Sequence, residues 1–346
     1  MNPHAKLITL TSLILGTTIA ISSNHWAMIW TGLEINTLAI IPMISKSHHP
    51  RAIEATIKYF LTQAAASATI LFSSMINAWA TGQWDISQLT NTTSCLLLTA
   101  AIAMKLGLVP FHFWFPEVLQ GSSLTTALLL STAMKLPPIT ILLLTFNSLN
   151  PHLLTSMAIA SAALGGWMGL NQTQIRKILA FSSISHLGWM AIILVYSPKL
   201  TLLTFLLYSL LTSTIFLTLN TSNTTNMPML MTSWTKTPML NATLMLTLLS
   251  LAGLPPLIGF LPKWLIIQEL TKQEMTMAAL TITLLSLLSL FFYLRLTYYS
   301  TVTLPPNPTN LTKHWYINKP TTALIPAMAS LSTLLLPLSP TILASI

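Results

Sequence analysis

Apolar runs of about twenty residues, parted by short polar breaks, follow one another along nearly the whole chain. A helix needs about 20 apolar residues to cross the hydrocarbon core of a bilayer. The pattern therefore predicts about eleven transmembrane helices, over residues 3–21, 26–44, 53–80, 92–115, 122–146, 152–170, 173–196, 200–219, 240–270, 275–299 and 321–346. The run 240–270 is also long enough for two short passes. The expected fold is an all-α, polytopic integral membrane protein.

Composition closes off the alternatives. Hydrophobic residues make up 53% of the chain and charged residues 6%, against roughly 25% charged in a soluble domain. So few charges cannot cover a surface in water, and most of the exterior must face lipid. The formal charge of +9 is carried by basic residues scattered singly, with no basic stripe, so no nucleic-acid partner is expected. Cys95 is the single cysteine, which excludes intrachain disulfides and cysteine-ligated metal or iron–sulfur sites. No phosphate-binding glycine loop or catalytic triad is present, and nothing in the pattern would hold NADH or flavin. The first run carries Lys6 ahead of apolar residues as a signal peptide would, yet no small-residue cleavage site follows. It reads as the first helix, and an Arg-rich import presequence is missing as well.

Charge also orients the chain. With the sides of the membrane numbered alternately, Lys6, Lys46, Arg51, Lys58, Arg176, Lys177, Lys236, Arg295, Lys313 and Lys319 fall on the N-terminal side, and Lys199 and Lys272 opposite. That is the asymmetry of the positive-inside rule. The N-terminus is expected in the cytoplasm, or in the matrix if the membrane is that of an organelle. An odd number of spans then places Ile346 on the other side.

Four ionisable side chains fall mid-span: Glu34, Lys105, Lys135 and Lys263. A charge at the bilayer centre costs at least ~2.5–3.5 kcal/mol on insertion scales, so such residues mark proton and ion routes. The plainer alternative is one structural Glu34–Lys pair with the other lysines snorkelling. Three lysines against one acid cannot all be neutralised by pairing, which favours titration over static structure. Two of the lysines adjoin helix-breaking sequence: Gly107 and Pro110 follow Lys105, while Gly253, Pro255, Pro256, Gly259 and Pro262 precede Lys263. Interrupted helices survive in lipid only inside protein or beside a wet cavity. Paired interruptions in corresponding halves point to a transport site between inverted repeats. The fourth and ninth runs are five apart, which predicts two inverted five-helix repeats, residues 1–147 and 148–300, each with one broken helix. Residues 301–346 form a connecting loop and a last helix. His186 lies mid-span among Ser182, Ser183 and Ser185; packing and proton relay are both open readings for it. His112 follows the first break and is either path-lining or interface packing. Glu54 and Lys58 form an i,i+4 pair at a helix start.

At these residues the chain resembles a known family. Residues 105–117 (KLGLVPFHFWFPE), 176–189 (RKILAFSSISHLGW) and 251–264 (LAGLPPLIGFLPKW) are similar to the antiporter-like membrane subunits of respiratory complex I, and the likeness to vertebrate mitochondrial members runs over the whole length. The resemblance implies a multi-pass subunit of the mitochondrial inner membrane, made inside the organelle with its N-terminus in the matrix. Its implied partners are other membrane-arm subunits, including neighbouring antiporter-like ones, and inner-membrane lipids. NADH, FMN, iron–sulfur clusters and ubiquinone would be used elsewhere in the complex, and no cofactor is implied for this chain. The implied roles are a Glu34–Lys105 pair that switches between coupled and separated states, Lys135 as central relay, Lys263 as terminal lysine toward the intermembrane side, and His186 in the hydrophilic axis. Longer bacterial relatives carry three further N-terminal spans, and Phe181 stands where many relatives have Tyr. The implied function is proton translocation by the NADH:ubiquinone reductase. A stand-alone cation/proton antiporter and a non-pumping scaffold are the competing readings.

Overall fold

The computed structural model describes residues 3–47, 49–302, 324–334 and 336–339. Its regular elements are helices, apart from two isolated bridges, His25 with Asp85 and Gln174 with Asn226. Among the described residues, seven helical stretches are long and apolar enough to cross a membrane. The chain divides into two units, Met1–Ser161 and Ala162–Ile346.

In the first unit, α1 (Pro3–Ser22) and α2 (Trp26–Ile44) touch through their backbones. A Cβ on Gly32 would lie 2.9 Å from both the Ala20 nitrogen and the Gly16 carbonyl oxygen, the small-residue contact typical of membrane helices. Helix α3 (Pro50–Thr81) starts on Pro50 behind the capping His49 and ends at the left-handed Gly82. Its following loop returns to the start of α2, where the Trp26 N–H donates to the Trp84 carbonyl (3.2 Å) and His25 stacks on Trp84. Helix α4 (Thr92–Leu106) stops at Gly107. A turn containing the cis Val109–Pro110 bond leads into α5 (Trp114–Gly121), then α6 (Leu124–Ser131) and α7 (Leu136–Leu144).

The expected continuous fifth helix, 122–146, is thus corrected: a 3-10 turn over Ala133–Lys135 parts α6 from α7. Pro137 and Pro138 supply no N–H to the turn before them. The Ala133 carbonyl instead accepts from the Leu136 N–H, three residues on, and the chain tightens locally. Lys135 stands at that break.

Helix α8 (Pro151–Gly169) runs from the first unit into the second, where α9 (Ile175–Leu194), nearly all of it buried, and α10 (Pro198–Ser222) follow. Between the expected spans 200–219 and 240–270 lies α11 (Met227–Lys236). Met227, Leu230 and Ser233 are buried along its inner face, and Ser233 exchanges hydrogen bonds with Asn241 (2.8 and 3.0 Å). Helix α12 (Pro238–Ala252) stops at Gly253, and α13 (Phe260–Lys272), α14 (Thr276–Val302) and α15 (Leu324–Leu334) follow. Arg295 of α14 donates to the carbonyls of Leu170 and Gln172 beyond the end of α8, where a cation complements the helix dipole. Most of the connection 301–320, with Lys313 and Lys319, and both flanks of the last expected span, with Ile346, lie outside the described residues.

The two broken helices share one register. Helices α4 and α12 are offset by 146 residues at both ends, 92 to 238 and 106 to 252, and α5 and α13 begin at the same offset, 114 and 260. Each first segment ends at a left-handed glycine, Gly107 (φ 77°) or Gly253 (φ 85°). Each is closed by the next leucine, Leu108 to the Ala103 carbonyl (3.0 Å) and Leu254 to the Leu249 carbonyl (3.4 Å), the bond of a Schellman cap. Glycine is required there because a Cβ strains the left-handed region. The proline pair of the first unit has no counterpart in α14, which has no proline and runs unbroken.

Candidate functional site

In each unit a small cavity brings buried lysines or histidine together. In the first unit, a cavity of about 20 Å³ is lined by Tyr59, Gln63, Lys105, Leu106, Trp114, Phe115, Leu130, Met134 and Lys135. Lys105 and Lys135, thirty residues apart in sequence, are 6% and 2% exposed and meet there because α4 and the α6–α7 break both end at its wall. The Lys105 ammonium and the Tyr59 hydroxyl are buried with no hydrogen-bond partner among the described residues. A space of this size holds at most one water. Lys135 Nζ sits 4.8 Å from the centre of the Phe115 ring, within range for a cation–π contact. The Trp114 indole donates to the Met104 carbonyl (3.1 Å) and covers the end of the broken α4.

Glu34 is half-buried on α2. It lies within electrostatic reach of Lys105 and Tyr59, yet its hydrogen bond is to the Thr37 hydroxyl (3.2 Å) and Lys105 Nζ is unpartnered. The two charges of the expected pair are therefore apart in this structure. His112 is buried in the turn after α4 but does not line the cavity.

In the second unit, a cavity of about 30 Å³ brings together His186, Tyr208 and Lys263, walled by Trp189, Thr204, Leu251 and Gly259 among others. His186 Nε2 lies 3.3 Å from the Tyr293 hydroxyl, and its ring packs on Tyr208 at 5.5 Å. The Ser183 and Ser182 hydroxyls lie beside those of Tyr208 and Tyr293. The serine–histidine stretch of α9 is thus met by tyrosines from α10 and α14, and Phe181 has no part in that network. Lys263 Nζ donates to the Ala252 carbonyl at 2.7 Å, at the negative end of the broken α12, and stands 5.9 Å from the Trp189 ring centre. In the 146-residue register the counterpart of Lys263 is Glu117, which with Glu54 flanks Lys58 on the exposed side of the first unit. The expected Glu54–Lys58 contact is present, with Glu117 as a third member. Among the described residues, no three His, Cys, Asp or Glu side chains gather to hold a metal ion.

Residues 23–289 match the model of the NADH:quinone oxidoreductase/Mrp antiporter transmembrane family. The chain belongs to that family. Beyond it, residues 290–343 match the NADH dehydrogenase subunit 2 C-terminus. Among curated relatives of this oxidoreductase/antiporter family, the chain is 75% identical over 346 residues to NADH-ubiquinone oxidoreductase chain 2 of Struthio camelus, covering 100% of both. It is 73% identical over 343 residues to the chain of the same name from Gallus gallus, covering 99% of both. Among solved structures, a chain of respiratory complex I from Thermus thermophilus superposes with a TM-score of 0.83 at 26% identity, over 97% of this chain and 80% of that one. A chain of the Mrp complex from Dietzia sp. DQ12-45-1b shares the fold, with a TM-score of 0.77 at 18% identity, over 87% of this chain and 61% of that one.

Of the cavity-lining residues, Lys105, Lys135, His186 and Lys263 stand out in the sequence as buried ionisable groups, whereas Tyr59, Gln63 and Tyr208 do not. The signal available for them is a polar aromatic or amide inside an otherwise apolar span.

Proposed function

We propose that protons cross the membrane through these two cavities, by way of Lys105 and Lys135 in the first unit and His186 and Lys263 in the second, with Glu34 biasing Lys105. The chain is a membrane-arm subunit of NADH:ubiquinone oxidoreductase, an antiporter-like proton-translocation module. The observation that carries the residue assignment is the convergence, in each unit, of two ionisable side chains on one water-sized cavity behind a broken helix. Such groups are costly to bury and, inside membranes, characteristically mark routes for protons or ions.

In this reading electron transfer happens in other subunits, which hold the NADH, FMN, iron–sulfur and ubiquinone sites, and reaches this chain as a conformational or electrostatic push. Moving one proton against ~100 mV takes about 2.3 kcal/mol. Changing the distance between Glu34 and Lys105 supplies energy of that order, since two charges 4 Å apart at an effective dielectric of 20 interact by about 4 kcal/mol. The common 146-residue register supports the reading of two five-helix repeats, which with an odd helix between their starts insert with opposite polarity. The distribution of basic residues supports an N-terminus in the mitochondrial matrix and eleven spans. Neighbouring antiporter-like subunits and inner-membrane lipids are the proposed partners. The stand-alone antiporter reading rests on fold likeness to the Mrp complex alone.

The test contrasts Lys135→Met with Lys135→Arg in the assembled enzyme in liposomes. Methionine keeps an unbranched shape and loses the titratable nitrogen, whereas arginine keeps a charge that never leaves. Both variants should assemble, oxidise NADH and pump fewer protons per electron. Full pumping by the arginine variant would remove Lys135 from the route; full pumping by both would favour a scaffold.

A further inference from the structure

Gly253 and Gly107 occupy the same place in the two broken helices and the same left-handed conformation. Their surroundings differ. A Cβ on Gly107 would meet nothing nearer than Phe115 Cβ at 3.5 Å, an ordinary contact. A Cβ on Gly253 would lie 2.9 Å from both Cδ and Nζ of Lys263 and 3.1 Å from its Cε. The bare α-carbon is the floor on which the lysine lies while its ammonium reaches the Ala252 carbonyl at 2.7 Å. That carbonyl is at the end of α12, where helix carbonyls lack partners and carry the negative end of the dipole.

We propose that Gly253 is a positioning residue for proton transfer. By leaving room for the alkyl chain, it seats the Lys263 ammonium on the Ala252 carbonyl, facing the cavity shared with His186 and Tyr208. The inference rests on the reading of Lys263 as a proton carrier and adds the feature that fixes where its proton is held. The clash that a side chain would introduce falls on the far end of a flexible lysine, not on backbone. By contrast, a Cβ on Gly259 would lie 1.6 Å from the Ser250 carbonyl oxygen, which cannot yield. Gly253→Ala should therefore fold and assemble, and the lysine should move.

The experiment compares Gly253→Ala with Gly82→Ala in the assembled enzyme reconstituted in liposomes. Gly82 has the same left-handed backbone (φ 73°) with nothing within 4 Å of its would-be Cβ, so it reports backbone strain alone. The expected result is an unchanged proton-to-electron ratio for Gly82→Ala and, for Gly253→Ala, a fall to the level of Lys263→Met. The double variant should fall no further than Lys263→Met. A density map of Gly253→Ala should show Nζ beyond hydrogen-bond distance of the Ala252 carbonyl. Nζ still on that carbonyl, a ratio matching Gly82→Ala, or a further loss in the double variant would each overturn the proposal. Full pumping by Lys263→Met would instead overturn the route through Lys263, leaving the seating by Gly253 to be decided on the map.

Discussion

Replacing Lys105 by methionine separates the two readings of its charge by the sign of the effect. Lys105 is 6% exposed and its ammonium has no hydrogen-bond partner among the described residues. A buried polar group left in that condition costs about 1–3 kcal/mol, and more when charged. Methionine has nearly the same length and shape, adds no polar atom, and leaves Glu34 still bonded by Thr37. The substitution should therefore stabilise α4 by about 1–3 kcal/mol, whereas breaking a structural buried ion pair would cost about 3–5 kcal/mol. The assay is hydrogen exchange of the amides of α4 in the assembled enzyme, where opening free energies are read locally. At a factor of ten per 1.4 kcal/mol, exchange should slow by roughly 5- to 150-fold, while protons pumped per electron fall. Exchange accelerated by about a hundredfold or more would refute the reasoning and make Lys105 a structural partner of Glu34.

Tyr293→Phe removes the hydroxyl beside His186 Nε2 without changing the ring; it should leave assembly intact and lower the proton-to-electron ratio, and an unchanged ratio would reduce the tyrosine to packing. Protease-accessible tags at the two ends should report opposite faces of the inner membrane, the N-terminal one in the matrix, and tags on one face would refute an odd number of spans.

The apolar pattern places α2 at its observed bounds, since Ser23-Asn24-His25 and Ser45-Lys46 interrupt it sharply. The glycine-ended breaks at 107 and 253 are equally legible, because left-handed caps demand glycine and the prolines beyond forbid a restart. The break at Lys135 is written as plainly in Pro137-Pro138, yet the apolar residues around it make 122–146 read as one span. Helix α11 escapes the pattern because only one narrow face is buried. The network around His186 is illegible for another reason: it joins α9, α10 and α14, and periodicity within one span carries no information about which neighbours it meets. The same holds for Tyr59, whose hydroxyl acquires meaning only beside Lys105. The separation of Glu34 from Lys105 depends on how α2 and α4 are set against their neighbours, which spacing along the chain does not encode.

The contrast between α9, nearly all buried, and α1, mostly exposed, bears on how this chain tolerates neutral drift. Where exposed side chains of α1 meet fluid hydrocarbon, it closes around any apolar shape, so exchanges among Leu, Ile, Met and Val leave no void there. Along α9 the surroundings are other side chains and cannot flow, and trimming one methylene leaves a cavity that costs about 0.5–1.5 kcal/mol. The same mutational supply falling on both helices is thus filtered unequally, and the outer helix can wander in sequence while the inner one acts as the chain's slow clock.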